Sequence, residues 1–335
     1  MNIYDVSKKA GVSIATVSRV LNGNSNVSEK TRAKVLAVME ELGYTPNVFA
    51  RGLGLNTMKT IGIMCTDSSD MYIANAVFYL QRELRAYGYD SILCCTGPNL
   101  ASKKQYTELL LSKRVDGIII AGSQFLNNDP DSVDNAYIIT ASRQVPVFLV
   151  NGHLHGKNIY SVLCDDEQAL YQVTNALIQN GRRSIVYLYT STSYSGLRKL
   201  DGYKKALEEN DIDFNPDYIH LCTKSIIRAK EYLYYLHDNG KQFDAVLSSD
   251  DSLAVGAVKY AHTAGISIPQ ELSIVGYNNS ILASCTEPEL TSIDTKVEDL
   301  CKTAVTLLMN VFSEKRTVRK TIIHPELIKR STTDF

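Results

Sequence analysis

The chain has 335 residues, 44% hydrophobic and 21% charged, with a net charge of −1, an ordinary globular composition long enough for two or three domains. Its longest apolar runs, such as Gly117–Ala121 and Val145–Val150, fall far short of the ~20 residues of a membrane span, and the N-terminus MNIYDVSKK lacks the apolar stretch of a secretory signal. The seven cysteines (Cys65, Cys94, Cys95, Cys164, Cys222, Cys285, Cys301) contain no CxxC pair; they read as reduced, buried thiols of a cytoplasmic protein, and no cluster has metal-ligand spacing.

Charge is unevenly spread. Residues 1–59 hold eight Lys/Arg against four Asp/Glu, or +4, so the remainder carries −5. A basic head on a mildly acidic body is the footprint of a nucleic-acid-binding module. The head predicts three helices. Asn2 caps the first, with Asp5 completing a reciprocal cap; Ile3, Val6 and Ala10 give it an apolar face and Gly11 ends it. Ser13 caps a second, about Ile14 to Leu21, with Val17, Val20 and Leu21 inward and Ile14, Ala15, Thr16, Ser18 and Arg19 outward. After the turn residues Asn22–Gly23–Asn24, Ser28 caps a third helix that runs to about Leu42 and stops at Gly43. Two short helices around a Gly-containing turn make a helix-turn-helix signature. Pro46 breaks the chain, and Asn47 can cap a very short helix from Val48 to about Leu55. Gly52 and Gly54 cost this helix roughly 1 kcal/mol each, so it is expected to form only against a partner or DNA.

From Thr60 the pattern alternates. Strands are expected at Ile61–Cys65, Asp90–Cys95, Gly117–Ala121, Pro146–Asn151, Ser161–Cys164, Ser184–Tyr189, Ala245–Ser248 and Ser273–Tyr277. Amphipathic helices lie between and after them, among them Ile73–Tyr87, Lys103–Ser112, Asp166–Asn180, Asp201–Glu209, Ile226–Asp238, Ser252–Ala264 and Val297–Phe312. This is the signature of parallel sheets with helices on both faces, whose ligands bind beyond the carboxyl ends of the strands. No GxGxxG, GxxxxGK[ST] or GxSxG occurs, which removes the main support for nucleotide binding or nucleophile-elbow hydrolysis.

The head sequence YDVSKKAGVSIATVSRVLNGNSNVSEKTRAKVLAVMEELGYTPN strongly resembles the DNA-binding head of lac-repressor-like (LacI/GalR) transcription regulators. The likeness continues through ARGLGLNTMKTIGI, VDGIII, PVFLVN, RKLDGYKKAL, DDSLAVGAVKYAHTAG, IPQELSIVGYNN and PELTSI, and so covers essentially the whole chain. It implies an all-α helix-turn-helix head (1–46), a hinge (47–59) and an α/β core (60–335) of two Rossmann-like subdomains of periplasmic-sugar-binding-protein type. The expected subdomains are about 60–159 plus 290–318 and about 160–289 plus 319–331, joined by three crossovers with an effector in the cleft. The resemblance also implies a homodimer on double-stranded operator DNA. No leucine heptad follows ELIKRSTTDF, so no tetramer-forming tail is expected.

By the same resemblance, Thr16, Ser18 and Arg19 contact phosphates and bases, and Arg19 can engage guanine bidentately. Ile14 and Ala15 stand where operator choice is made; both can touch a thymine methyl but cannot hydrogen-bond a base, as in readers of catabolite-type operators. Tyr4, Ser13, Asn22, Ser28, Thr31, Tyr44 and Asn47 hold the sugar-phosphate backbone, although a plain helix cap explains Ser13 and Ser28 almost as well. Ala50 and Leu53 fall in the hinge, Leu53 where the family drives a Leu into the minor groove and kinks a central step.

In the cleft, the resemblance points to Tyr72, Ile73, Asn151, Arg198, Lys199, Asp250 and Asn278 as effector-binding residues. Lys199 stands where the family has an Arg, Arg198 precedes it, and which of the two points inward is open; the two side chains are not equivalent. Asp250 replaces an Asn, Asn278 replaces an Asp, and Val297 stands where some members have an aromatic. So polar a cleft with few aromatics suits a carbohydrate better than a flat purine. Asp251 reads as a cap of the following helix, whose Leu253, Val255, Val258 and Ala261 serve either a dimer interface or the core.

The expected function is therefore a cytoplasmic, dimeric, sequence-specific transcription regulator, more repressor than activator. It has no enzymatic activity, metal or cofactor, and a small-molecule effector, a sugar or sugar derivative, sets its operator affinity. A phosphoprotein co-regulator fits the resemblance, but no residue speaks for one. Two rivals are a transport receptor sharing the core, which the head argues against, and a Rossmann-type enzyme, for which no nucleophile or cofactor constellation is present.

Overall fold

Local capping builds the head. In the computed structural model of the protein, which describes residues 1–21, 26–44, 57–129 and 131–335, α1 spans Ile3–Ala10. Asn2 Oδ1 accepts from the amides of Tyr4 and Asp5 at 2.9 and 3.2 Å, and Asp5 Oδ2 accepts from the Asn2 amide at 2.8 Å. Gly11, at φ 61°, ends the helix. α2 spans Ile14–Leu21, with Ser13 Oγ accepting from the Thr16 amide. α3 spans Glu29–Glu41, capped by Ser28, and Gly43 follows at φ 58°. Val6, Ala10, Val17, Val20, Val35 and Met39 close a small core between the three helices, and Lys9 Nζ donates to Glu41 Oε1 at 2.6 Å, joining α1 to α3. Asn22, Asn47, Ala50, Leu53 and the hinge helix lie outside the described residues.

The core holds two six-stranded sheets. β1 (Thr60–Cys65), β2 (Asp90–Cys95), β3 (Gly117–Ala121), β4 (Val147–Val150), β5 (Ile159–Cys164) and β11 (Lys320–Ile323) form the first, in the order β11-β5-β4-β3-β1-β2, all parallel. The second joins β6 (Ile185–Tyr189), β7 (Ile219–Leu221), β8 (Ala245–Ser248), β9 (Ser273–Tyr277), β10 (Thr291–Asp294) and β12 (Glu326–Ile328) in the order β12-β10-β9-β8-β6-β7. Only β12 runs antiparallel.

Helices cover both faces of each sheet. α4 (Met71–Ala86) and α12 (Val297–Phe312) bury one face of the first, and α5 (Leu100–Ser112) and α6 (Ala136–Ser142) the other. α7 (Asp166–Gln179) and α8 (Tyr194–Glu209) cover one face of the second sheet, and α9 (Ile226–Asp238) and α10 (Asp251–Ala264) the other; the short α11 (Ile281–Cys285) follows β9. The first half of α10 is buried on all sides within its own subdomain, including Leu253, Val255 and Val258, which favours the core reading of that helix.

The three crossovers come a few residues later than expected from the sequence. β5 ends at Cys164 inside the first sheet, β10 ends at Asp294 inside the second, and β11 ends at Ile323 back in the first. The expected boundaries at 159/160, 289/290 and 318/319 would each cut a strand off from its ladder, leaving backbone donors and acceptors unpaired. α8 likewise starts at Tyr194 rather than Asp201. Any Cβ at Gly196 or Gly202 would strike the carbonyls of Ser191 and Glu167. These glycines are where α8 meets its neighbours at backbone distance. Five of the cysteines are buried as expected, whereas Cys95 and Cys285 are exposed; all seven are free thiols. Among the described residues no helix is long and apolar enough to cross a membrane.

Candidate functional site

Two regions collect the chemistry. On the head, the inward face of α2 buries Val17 and Val20, so its 3.6-residue period turns Ile14, Ala15 and Arg19 outward, where all three are exposed. Thr16 and Ser18 are half-buried along the same helix. Ser13 and Thr16 hydroxyls pair at 2.9 Å, as do those of Ser28 and Thr31, so each helix start presents a polar cluster beside its free amides, the arrangement that receives phosphate. Tyr4 is 66% exposed, and Tyr44 packs half-buried on the head core.

The second region is a cavity of about 270 Å³ between the two sheets, at the carboxyl ends of their strands. The first subdomain contributes Thr66, Asp67, Asp70, Tyr72 and Ile73 after β1, Ser123 and Gln124 after β3, and Asn151 after β4. The second contributes Thr190, Ser191, Ser193, Ser195 and Lys199 after β6, Lys224 after β7, Ser249 and Asp250 after β8, and Asn278 after β9.

Of the seven residues expected there, six line the cavity and Arg198 does not. Arg198 is ion-paired with Glu167 and Asp201 on the outer side of α8. The reason is helical phase. Gly196, Lys199, Leu200, Tyr203 and Leu207 form one buried i, i+3, i+4 row, and a neighbour one residue away points about 100° off it.

Lys199 Nζ lies 3.6 Å from the centre of the Tyr277 ring and donates to the Ser249 carbonyl at 3.4 Å. Burial pushes its pKa down, against the pull of Asp166. Beneath it, Asp166 accepts from Ser195 Oγ and from the Tyr277 hydroxyl, both at 2.6 Å. Asn151, at φ 61°, accepts from the Cys164 amide in its own subdomain and donates to Ser195 Oγ in the other at 3.4 Å.

Lys224 was not expected from the sequence. Its Nζ sits 2.7 Å from Asp70 Oδ2 in the first subdomain and 2.6 Å from Asp250 Oδ2 in its own. Burial works to lower its pKa, but Asp250 and Asp70 outweigh that and raise it. Asp250 also caps α10, accepting from the Ser252 amide and hydroxyl, and takes Asn278 Nδ2 at 3.1 Å. Asp251, expected as that cap, instead holds Ser280 and Ser292, and burial lifts its pKa to about 6.

Direct bonds tie the halves together: Ser123 Oγ donates to Ser193 Oγ at 2.8 Å, and Asn128 Nδ2 to the Thr192 carbonyl at 2.6 Å. The hydroxyl of Tyr72 is buried without a partner, and its burial raises its pKa; among the described lining residues Tyr72 alone is aromatic. The seryl and aspartyl residues that sequence reasoning missed carry no local motif. Asp70 is the N-cap of α4, accepting from the Ile73 amide.

Residues 2–47 match the family described as "Bacterial regulatory proteins, lacI family", and residues 174–333 match a periplasmic binding protein-like domain. An HTH-type transcriptional regulator of Lachnoclostridium phytofermentans is 55% identical over 335 residues, covering 100% of both chains. Catabolite control protein A of Priestia megaterium is 31% identical, covering 96% of each. Among solved structures, the lac repressor dimer bound to operator and the anti-inducer ONPF superposes with a TM-score of 0.89 at 27% identity, covering 99% of this chain and 98% of that one.

Proposed function

The chain belongs to the lacI family of bacterial regulatory proteins, and on that premise we propose how its two sites divide the work. The protein is a DNA-binding transcription regulator whose operator affinity responds to a ligand, and it works as a dimer. α2 enters the major groove. Arg19 reads a base edge, Ile14 and Ala15 touch methyl groups, and Tyr4, Ser13, Thr16, Ser18, Ser28, Thr31 and Tyr44 fix the register on the phosphates. Asn22, Asn47, Ala50 and the Leu53 wedge add contacts from the turn and hinge.

The effector is an uncharged carbohydrate, held by Asn151, Lys199, Asp250 and Asn278 with Tyr72 and Ile73 as the apolar wall. The observation that carries this reading is the lining itself. Hydroxyls of Thr66, Ser123, Thr190, Ser191, Ser193 and Ser195 and carboxylates of Asp67, Asp70 and Asp250 converge from both halves. They are acceptors and donors suited to a polyol. Three carboxylates against the two amines of Lys199 and Lys224 disfavour a phosphorylated sugar. A ligand that touches both halves can shift the balance between two subdomain arrangements by its differential affinity for them.

The test is a mobility-shift assay with the full chain. DNA recovered from a random pool at low salt should be retarded, and one class of neutral sugar should change that affinity while sugar phosphates do not. Recovery of no DNA sinks the regulator reading; a response confined to phosphorylated sugars sinks the effector class. Arg19→Ala should cost about 1–3 kcal/mol on the recovered operator and relax discrimination at one base pair.

A further inference from the structure

The loop between β4 and β5 carries the sequence Asn151–Gly152–His153–Leu154–His155–Gly156. Leu154 is buried in the first subdomain's core, His153 is half-buried and His155 is exposed. With Leu154 turned inward, the flanking imidazoles emerge together. Their ring centroids are 4.5 Å apart and their Nε2 atoms 3.2 Å apart. The loop is pinned on all sides. His153 Nδ1 lies 3.1 Å from Ser161 Oγ on β5, and Arg319 Nη1 donates to the Gly156 carbonyl at 2.5 Å. Gly152 and Gly156 lie so close to Leu126 and Ile159 that a Cβ would crowd both.

We propose that His153 and His155 form a binding site for one borderline transition-metal dication, Zn²⁺, Ni²⁺ or Cu²⁺, ligated by the two Nε2 atoms. At the metal–nitrogen distance of about 2.0–2.1 Å, nitrogens this far apart subtend about 100° at a shared ion, close to a tetrahedral angle. Imidazole nitrogen selects these ions, whereas Mg²⁺ and Ca²⁺ demand oxygen ligands.

The protons balance without release. In the free pair the Nε2–Nε2 contact is a hydrogen bond, so one ring carries its proton on Nε2; on metal binding that proton moves to Nδ1 of the same ring by exchange through solvent, so that each ring is left with one N–H, on Nδ1, where Ser161 Oγ accepts the one from His153 and water the one from His155. Burial, His155 and Lys320 hold the His153 pKa below its ordinary value. Among the described residues no third His, Cys or carboxylate completes the set. The remaining positions are taken by water, and the site is weaker than a closed structural zinc site. It lies two residues beyond Asn151, and the His153 ring is 6.2 Å from that of Tyr194 across the subdomain boundary.

The experiment is a Co²⁺ titration of the chelator-stripped, reduced full chain, followed by absorbance, with Zn²⁺ competition. One ion should bind per chain, giving weak d–d bands without the intense near-ultraviolet thiolate band that exposed Cys95 or Cys285 would produce. His153→Gln and His155→Gln should each abolish the bands, and Ser161→Ala should weaken affinity about tenfold or more by unfixing the His153 ring. His155 is exposed, so its variant tests the site without disturbing the fold. A thiolate band, no binding at millimolar Co²⁺, or unchanged binding in His155→Gln overturns the proposal.

Discussion

Raising the salt from about 50 to about 200 mM should weaken operator binding by roughly 10³–10⁵, with log K falling against log salt at a slope of about −5 to −9. That range is general to proteins that neutralise about 6–10 phosphates, the lac repressor among them. Here it follows from where the charge sits. The head carries +4 on a chain whose remainder carries −5, and a dimer brings two such heads to one duplex. Polar groups for phosphates stand at two helix starts, Ser13 with Thr16 and Ser28 with Thr31. Base readers are few, since Ile14 and Ala15 offer no hydrogen bond. On the proposed reading of α2, most of the affinity should be electrostatic and fade with salt, while discrimination should rest on Arg19 and on how easily the operator deforms. Anisotropy titrations at several salt concentrations check this. A slope shallower than about −2 would mean that few of the head's lysines and arginines meet phosphates.

Replacing Lys224 by Met should lower stability by about 3 kcal/mol, read as a drop in the urea midpoint. The expectation comes from burial. The Asp250 side chain is 7% exposed and that of Lys224 31% exposed. Removing the ammonium leaves a desolvated carboxylate with only Ser252 and Asn278 to solvate it. Lys224→Met combined with Asp250→Asn should recover much of the loss, because no buried charge is then stranded. Asp70→Asn should cost less, since that carboxylate is 24% exposed and Lys224 keeps its other partner. If the single and double variants lose equally, the bridge contributes only packing. The same lysine spans two subdomains, so its loss should also alter how strongly a cleft ligand changes operator affinity.

What could be read in the sequence was what is decided locally. The head helices begin and end at residues whose side chains or φ angles settle the matter within four positions: Asn2 with Asp5, Ser13, Ser28, and the glycines at 11 and 43. The alternation of apolar strands and amphipathic helices was equally plain. Sheet membership was not, because β5, β10 and β11 each stand immediately before a crossover between the subdomains, and β10 and β11 are only four residues long. The start of α8 lies seven residues before the expected one, across Gly196, a glycine that serves close approach rather than termination. Once that start is known, helical phase alone chooses Lys199 over Arg198. The Asp70–Lys224 pair is separated by 154 positions, and nothing near either residue announces the other.

The hydroxyl bond from Ser123 to Ser193 has a consequence for what kind of sensor the cleft can be. With those two groups already bonded to each other across the gap, a ligand of the proposed class that reaches either of them must displace the other. It swaps partners, one oxygen for another, and the net gain is the small difference between similar bonds. Such a receptor trades tightness for reversibility. Occupancy of such a cleft would follow a fluctuating ligand concentration rather than trap the first molecule that arrives.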